Sequence, residues 1–170
     1  LEFDLRDIPT RQTLKEYSVF YPGLDVTAVE TYLLFLRAAS EVFTVSDNHL
    51  SQFGLSRGKV TLLMLLIRNA ETGLPPSELA ARAGVTRGTI TGLLDGLERD
   101  GLVERHDHPS DRRMYTIHLT ESGLVLMQKL LPMQFMLISQ MMSELAPEER
   151  TQLVGLLAKI RKGVETIDVI

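Results

Sequence analysis

The sequence contains no cysteine. Disulfides, thiolate nucleophiles, thiolate metal sites and cysteine-based redox sensing are therefore excluded. The same absence agrees with the cytoplasm, the compartment expected for this chain. No uninterrupted apolar stretch approaches the roughly 18 residues that cross a bilayer, so no membrane partner is expected. The densest stretch, Leu62 to Ile67, is far shorter. The opening Leu1-Glu2-Phe3-Asp4 is acidic and mixed, so no secretory leader is expected there. Positive charge is not in excess either: the formal net charge is -4. A partner held by bulk basicity is therefore excluded, and nucleic acid would have to be met by locally placed charge. The sequence also lacks a nucleophile elbow, a phosphate loop and an HExxH motif. No catalytic constellation, cofactor site or metal site is expected, and the chain reads as a non-enzyme.

What is present is a series of helix signals. Residues 1–23 carry Phe3, Tyr17, Phe20 and Tyr21 before Pro22-Gly23, an apolar arm with a helix expected over Thr13–Phe20. Asp25 is a good N-cap for a long helix. In it Val26, Val29, Leu33, Leu36, Ser40 and Phe43 follow a 3-4 spacing, an a/d seam suited to a dimer interface or to a core. Ser56 caps a helix expected to run to about Ala70, apolar nearly all round and hence central. Pro76 opens a short helix, and Gly84 sits where a tight turn needs positive φ. Thr86 caps the next helix, whose Ile90, Leu93, Leu94 and Leu97 recur at i, i+3, i+4 and i+7. Gly101 ends it.

After Gly101 the apolar period changes from 3.6 to 2. Leu102 to Arg105 reads as a strand, His108 to Asp111 as a turn, and Met114 to Leu119 as a half-buried strand. Thr120 caps a helix expected to reach about Leu145, with Pro132 expected to kink or break it. Pro147 restarts a last helix, and Glu148-Glu149 reads as its acidic first turn. The predicted fold is mainly α with a small β-hairpin wing, a winged helix-turn-helix flanked by dimerisation helices. Its parts are an arm and dimerisation helix over 1–50, the DNA-binding domain over 51–120, and dimerisation helices over 121–170.

A helix of this kind fits the major groove of DNA, and its N-terminal residues meet base edges and phosphates. The outward side of the Thr86-capped helix offers Arg87, Thr89, Thr91 and Arg99. Arg87 lies in the first turn, where free N–H groups also favour phosphate. The hairpin tip carries Asp111-Arg112-Arg113, and an arginine on a thin wing can enter the minor groove. Asp111 is expected to hold that arginine extended. Six arginines face seven carboxylates over residues 77–120, so placement and not total charge must create the positive surface.

In this order the residues resemble the multiple-antibiotic-resistance regulator (MarR) family over about 24–168. The carrying pieces are Ser77-Glu78-Leu79-Ala80, Gly84 through Thr91, Leu97 through Arg105, and Asp111-Arg112-Arg113 through Leu119-Thr120. The resemblance implies a homodimer with interlocked terminal helices on a pseudo-palindromic operator. Its half-sites would lie about 34 Å apart. Residues Ser77, Thr86, Arg87, Thr89, Thr91, Arg99, Arg112 and Arg113 would face double-stranded DNA, with Arg113 in the minor groove. It further implies a repressor released by a small aromatic or phenolic effector between the dimer helices and the DNA-binding lobe. Leu130-Leu131-Pro132-Met133-Gln134 resembles the branch that senses efflux substrates and uncouplers.

The pattern departs from the family in three places. Gly92, and a position near Gly96, stand where basic residues are common, and Pro75 replaces a hydroxyl cap. Each helix glycine costs roughly 1 kcal/mol against alanine and removes a candidate DNA contact. The two glycines, with the acidic balance, favour the alternative of a winged-helix protein-interaction module. The methionines at 127, 133, 136, 141 and 142 fit dimer-core packing better than an adaptable ligand surface. His106, His108 and His118 lack a fourth ligand, so wing histidines near phosphate are the simpler reading.

Overall fold

The computed structural model describes residues 7–108 and 111–167, and the side chains of all of these except 108 and 111–114. The element order is α1 (Arg11–Phe20), α2 (Val26–Ser51), α3 (Arg57–Ile67), α4 (Pro76–Ala83), α5 (Arg87–Arg99), β1 (Val103–His108), β2 (Asp111–Leu119), α6 (Glu121–Met141) and α7 (Pro147–Glu165). The expected mainly helical fold with one antiparallel hairpin is the fold observed.

The caps form where short polar side chains precede apolar periods. The Asp25 carboxylate accepts from the N–H groups of Thr27 and Ala28 at 2.9 and 3.0 Å. The Ala28 bond, then the Thr27 hydroxyl, holds its pKa below the usual carboxylate value. Ser56, Thr86 and Thr120 accept from Lys59, Thr89 and Gly123 N–H groups at 3.3, 3.2 and 3.0 Å. Thr10 caps α1 in the same way.

Helix α3 supplies the centre of the core. Leu62, Leu63 and Leu66 are buried, and α3 packs on α4, α5 and β2. Those neighbours contribute buried Leu79, Ile90, Leu94, Leu97 and Ile117. Truncating one such leucine costs roughly 2–5 kcal/mol. Gly58 of α3 lies against Leu93 of α5, a contact a larger residue would crowd.

The hairpin registers Val103 with Leu119 and Arg105 with Ile117, and shifts between Asp107 and His108. A third chain segment joins it: Leu74 and Ile117 exchange both backbone hydrogen bonds, at 3.0 and 2.8 Å. Thus the loop before α4 is stitched to the root of the wing.

Several boundaries differ from expectation. Helix α3 stops at Ile67, because the chain tightens into turns and the Asn69 side chain donates to the Leu65 carbonyl at 2.8 Å. Strand β1 extends three residues past Arg105. The turn expected from His108 to Asp111 falls partly on residues 109 and 110, outside the described residues. Helix α6 runs unbroken through Pro132 and ends at Met141. Pro132 and Gln128 are both exposed. The Gln128 carbonyl, which loses its helical donor to Pro132, is therefore not sealed in a core, and the helix can continue.

The chain divides after Val125 into two compact units. In α6 the less exposed positions include 127, 130, 134, 137 and 141, one helix face. Among the described residues α6 alone is long and apolar enough, by length and composition, to cross a membrane. Gln128, Lys129, Pro132 and Gln134 interrupt it, which is why no uninterrupted apolar run is visible there. Helix α7 has no buried residue, and the N–H of Ala146 donates to the Glu149 carboxylate at 2.8 Å. Glu149 lies in the acidic first turn that the sequence predicts, and it also closes the helix start.

Candidate nucleic-acid interface

Helix α5 buries Ile90, Leu94 and Leu97 and leaves Thr86, Arg87, Gly88, Thr89, Thr91, Gly92, Asp95, Glu98 and Arg99 exposed. Its start is built by Gly84, at φ +66°, which turns the chain out of α4. An L residue would be strained there. Ser77 is exposed in the first turn of α4.

The polar side chains on this face differ in freedom. Thr86 accepts the Thr89 N–H and also bonds the Thr89 hydroxyl at 2.9 Å. The pair can therefore offer only one outward hydroxyl proton. Thr91 donates to the Arg87 carbonyl at 2.9 Å, leaving its oxygen as an acceptor. Among the described residues, neither Arg87 nor Arg99 has an ion-pair partner. Other cations nearby are engaged. Lys59 meets Asp100 at 2.5 Å, and Arg82 meets Glu78. Arg105 of β1 reaches Asp95 at 2.6 Å and Glu98 at 3.0 Å, and its guanidinium lies 5.3 Å from the Tyr115 ring centroid. Burial opposes its charge, but the Asp95 hydrogen bond and the charges of Glu98, Tyr115 and Asp95 prevail and raise its pKa.

The two unusual glycines separate. Gly92 faces open space on the exposed side. Gly96 lies beneath the Lys59 side chain, where an added Cβ would sit 3.1 Å from Cε. The reading of Gly96 as a removed DNA contact is therefore corrected: its position packs toward α3.

Asp111, Arg112 and Arg113 occupy the first three positions of β2, and Asp111 is in register with His108. Their side chains, and hence the expected Asp111 orientation of an arginine, lie outside those described. At the wing root His106 and His118 stack with centroids 4.3 Å apart. His106 bonds Glu104 at 2.8 Å and His118 bonds Thr116 at 2.9 Å. Burial, then the neighbouring His106, lowers the His118 pKa, against an opposing pull from Glu104. No three metal-ligating side chains gather among the described residues.

Sequence reasoning missed Arg105 and its two carboxylates. It read Gly73 only as part of the break after α3, and missed that Gly73 has φ +61° and that an added Cβ would overlap the His118 ring. The available signal was Gly73 itself, two residues before Pro75, since side-chain pairs between elements leave no periodic trace.

Two helices joined by a glycine turn, followed by a hairpin whose root is tied to the preceding loop, define a winged helix-turn-helix. A family model described as the MarR family matches residues 53–114. The HTH-type transcriptional repressor YetL of Bacillus subtilis is 36% identical over 157 residues, covering 92% of this chain and 94% of that protein. The chain belongs to the MarR family. Among solved structures, Sco3205, a MarR family transcriptional regulator from Streptomyces coelicolor in complex with DNA, superposes with a TM-score of 0.75. It is 25% identical and covers 82% of this chain and 89% of its own. The MepR–DNA complex of Staphylococcus aureus gives a TM-score of 0.67 at 26% identity, covering 78% and 95%. YetL is thus named a transcriptional repressor and Sco3205 a transcriptional regulator.

Proposed function

We propose that the chain is a homodimeric transcriptional repressor that binds a pseudo-palindromic operator and releases it when a small aromatic or phenolic ligand binds. The observation that carries the DNA reading is the exposed face of α5, on which Arg87 and Arg99 have no ion-pair partner among the described residues. Helix α5 enters the major groove. Arg87 and Ser77 meet phosphate near helix N-termini, where unpaired N–H groups already attract anions. Thr86, Thr89, Thr91 and Arg99 line the approach, Arg113 of the wing reaches the minor groove with Asp111 holding it extended, and Arg112 faces the DNA beside it. Residues 51–120 act as the DNA-binding domain. The DNA-bound state of two structural relatives favours DNA over a protein partner.

Dimerisation by residues 1–50 and 121–170 is supported by their exposed apolar side chains. Phe20 is 77% exposed, Tyr32 59% and Met136 63%, more apolar surface than a monomer usually leaves to water. MepR, described as a regulator of the multidrug efflux pump MepA, supports a ligand of the efflux-substrate kind. A salt titration of operator binding tests the first claim. A steep log-log slope is expected, and no binding to any genomic fragment at low salt would sink it. Operator affinity with and without aromatic ligands tests the second. Coupling is reciprocal, so a true effector must also bind more weakly to the DNA-bound protein.

A further inference from the structure

The exposed face of α5 is not basic by itself. Arg87 and Arg99 are balanced by Asp95 and Glu98, two charges of each sign. Arg105 of β1 changes that sum to one net positive charge. Its Nη2 donates to the Asp95 carboxylate at 2.6 Å and forms an ion pair with Glu98 at 3.0 Å. Tyr115, across the hairpin, lies under the guanidinium. The Lys59–Asp100 pair at 2.5 Å cancels the next carboxylate along. The placement has a second effect. Asp95 and Arg99 stand four residues apart with the acid toward the N-terminus, the favourable order for a helical ion pair. No such pair forms, because Asp95 is turned to Arg105.

We infer that Arg105 is a positioning residue for DNA binding: it masks Asp95 and Glu98 and so leaves Arg99 free to meet the phosphates. This rests on the DNA reading of α5 given above. Without Arg105 the groove-facing helix presents two bare carboxylates to a polyanion, and Asp95 captures Arg99. An exposed ion pair of this kind adds little to folding. The effect therefore falls on binding and not on melting temperature.

The test uses a duplex selected by the wild-type protein from a random-sequence pool, with affinity measured across a salt series. Arg105→Met is expected to bind roughly five- to twentyfold more weakly, with its melting temperature nearly unchanged. Arg105→Lys is expected to retain binding within about threefold, since the charge remains. Adding Asp95→Asn and Glu98→Gln to Arg105→Met is expected to restore most of the affinity. If Arg105 itself touched phosphate, the triple variant would not recover and the log-log salt slope would fall by about 0.9; that result overturns the proposal. Unchanged affinity of Arg105→Met also overturns it. Should Arg105→Met fail to fold, Asp95→Asn with Glu98→Gln alone decides. Masked carboxylates can be neutralised without loss, so binding as tight as wild type or tighter is expected, and weaker binding refutes masking. Failure of the wild type to enrich any duplex would remove the DNA reading itself, a separate outcome.

Discussion

Arg113 stands two positions into β2, on a strand anchored by the fully buried Ile117. Arg113→Ala is expected to weaken operator binding roughly ten- to a hundredfold, the range for loss of one specific contact. Dimer mass by light scattering should not change. An unaltered affinity would mean that another residue carries the wing contact. His118 gives a pH test. Its folded pKa lies below the ordinary value of 6.5, so the unfolded chain takes up its proton first as pH falls. The stabilising effect is whole above about pH 6.5 and is lost as acid brings the pH down toward the folded value. Wild-type melts are expected to drop over that window, and His118→Asn should flatten the drop. A drop of the same size in both would assign it to other groups. The candidate DNA-facing residues of α5 were legible because a 3.6 period fixes which side is outward. Arg105 was not, since which carboxylates a strand residue meets depends on how β1 lies beside α5.

Helix α5 contains three glycines that do different things. Gly92 has open space around it, so Gly92→Ala is expected to stabilise the chain by about 0.5–1 kcal/mol in denaturant melts. Gly123, in the first turn of α6, is the opposite case. An added Cβ would collide with the Leu102 carbonyl, backbone that cannot yield cheaply. Gly123→Ala is expected to cost about 1–3 kcal/mol in the same melts. A stability change of the same sign at both sites would contradict this distinction. Composition alone treats these residues alike. Their neighbours come from distant elements, Lys59 for Gly96 and Leu102 for Gly123, and no local pattern announces them. Caps were the reverse. Asp25, Ser56, Thr86 and Thr120 were readable because a cap is bonded within three residues of itself. Pro132 misled for a related reason: its local effect was clear, but its exposure was not.

Across the whole chain, charge and apolar surface are arranged separately. The net charge of -4 says little about the face of α5, because ion pairs remove most of its carboxylates from play. Apolar surface concentrates outside residues 51–120. On α7 Leu156, Leu157, Ile160 and Val164 are all exposed in the single chain. Their spacing was plain in the sequence; their exposure among the described residues was not. If a second copy does, Leu157→Glu is expected to shift the species seen in sedimentation from dimer toward monomer. Operator binding should fall with it, since two half-sites would no longer be joined. A dimer of unchanged affinity would place the interface elsewhere.

The paired bonds between Leu74 and Ile117 have a kinetic consequence. Neither amide can reach water unless the loop and the wing root part company, and one parting frees both. In deuterium these two protons should therefore be lost with a common opening rate, slower than those at the far end of the hairpin. Residues 43 positions apart in sequence would then report a single event, and any ligand that loosens the wing from its base would accelerate the two together.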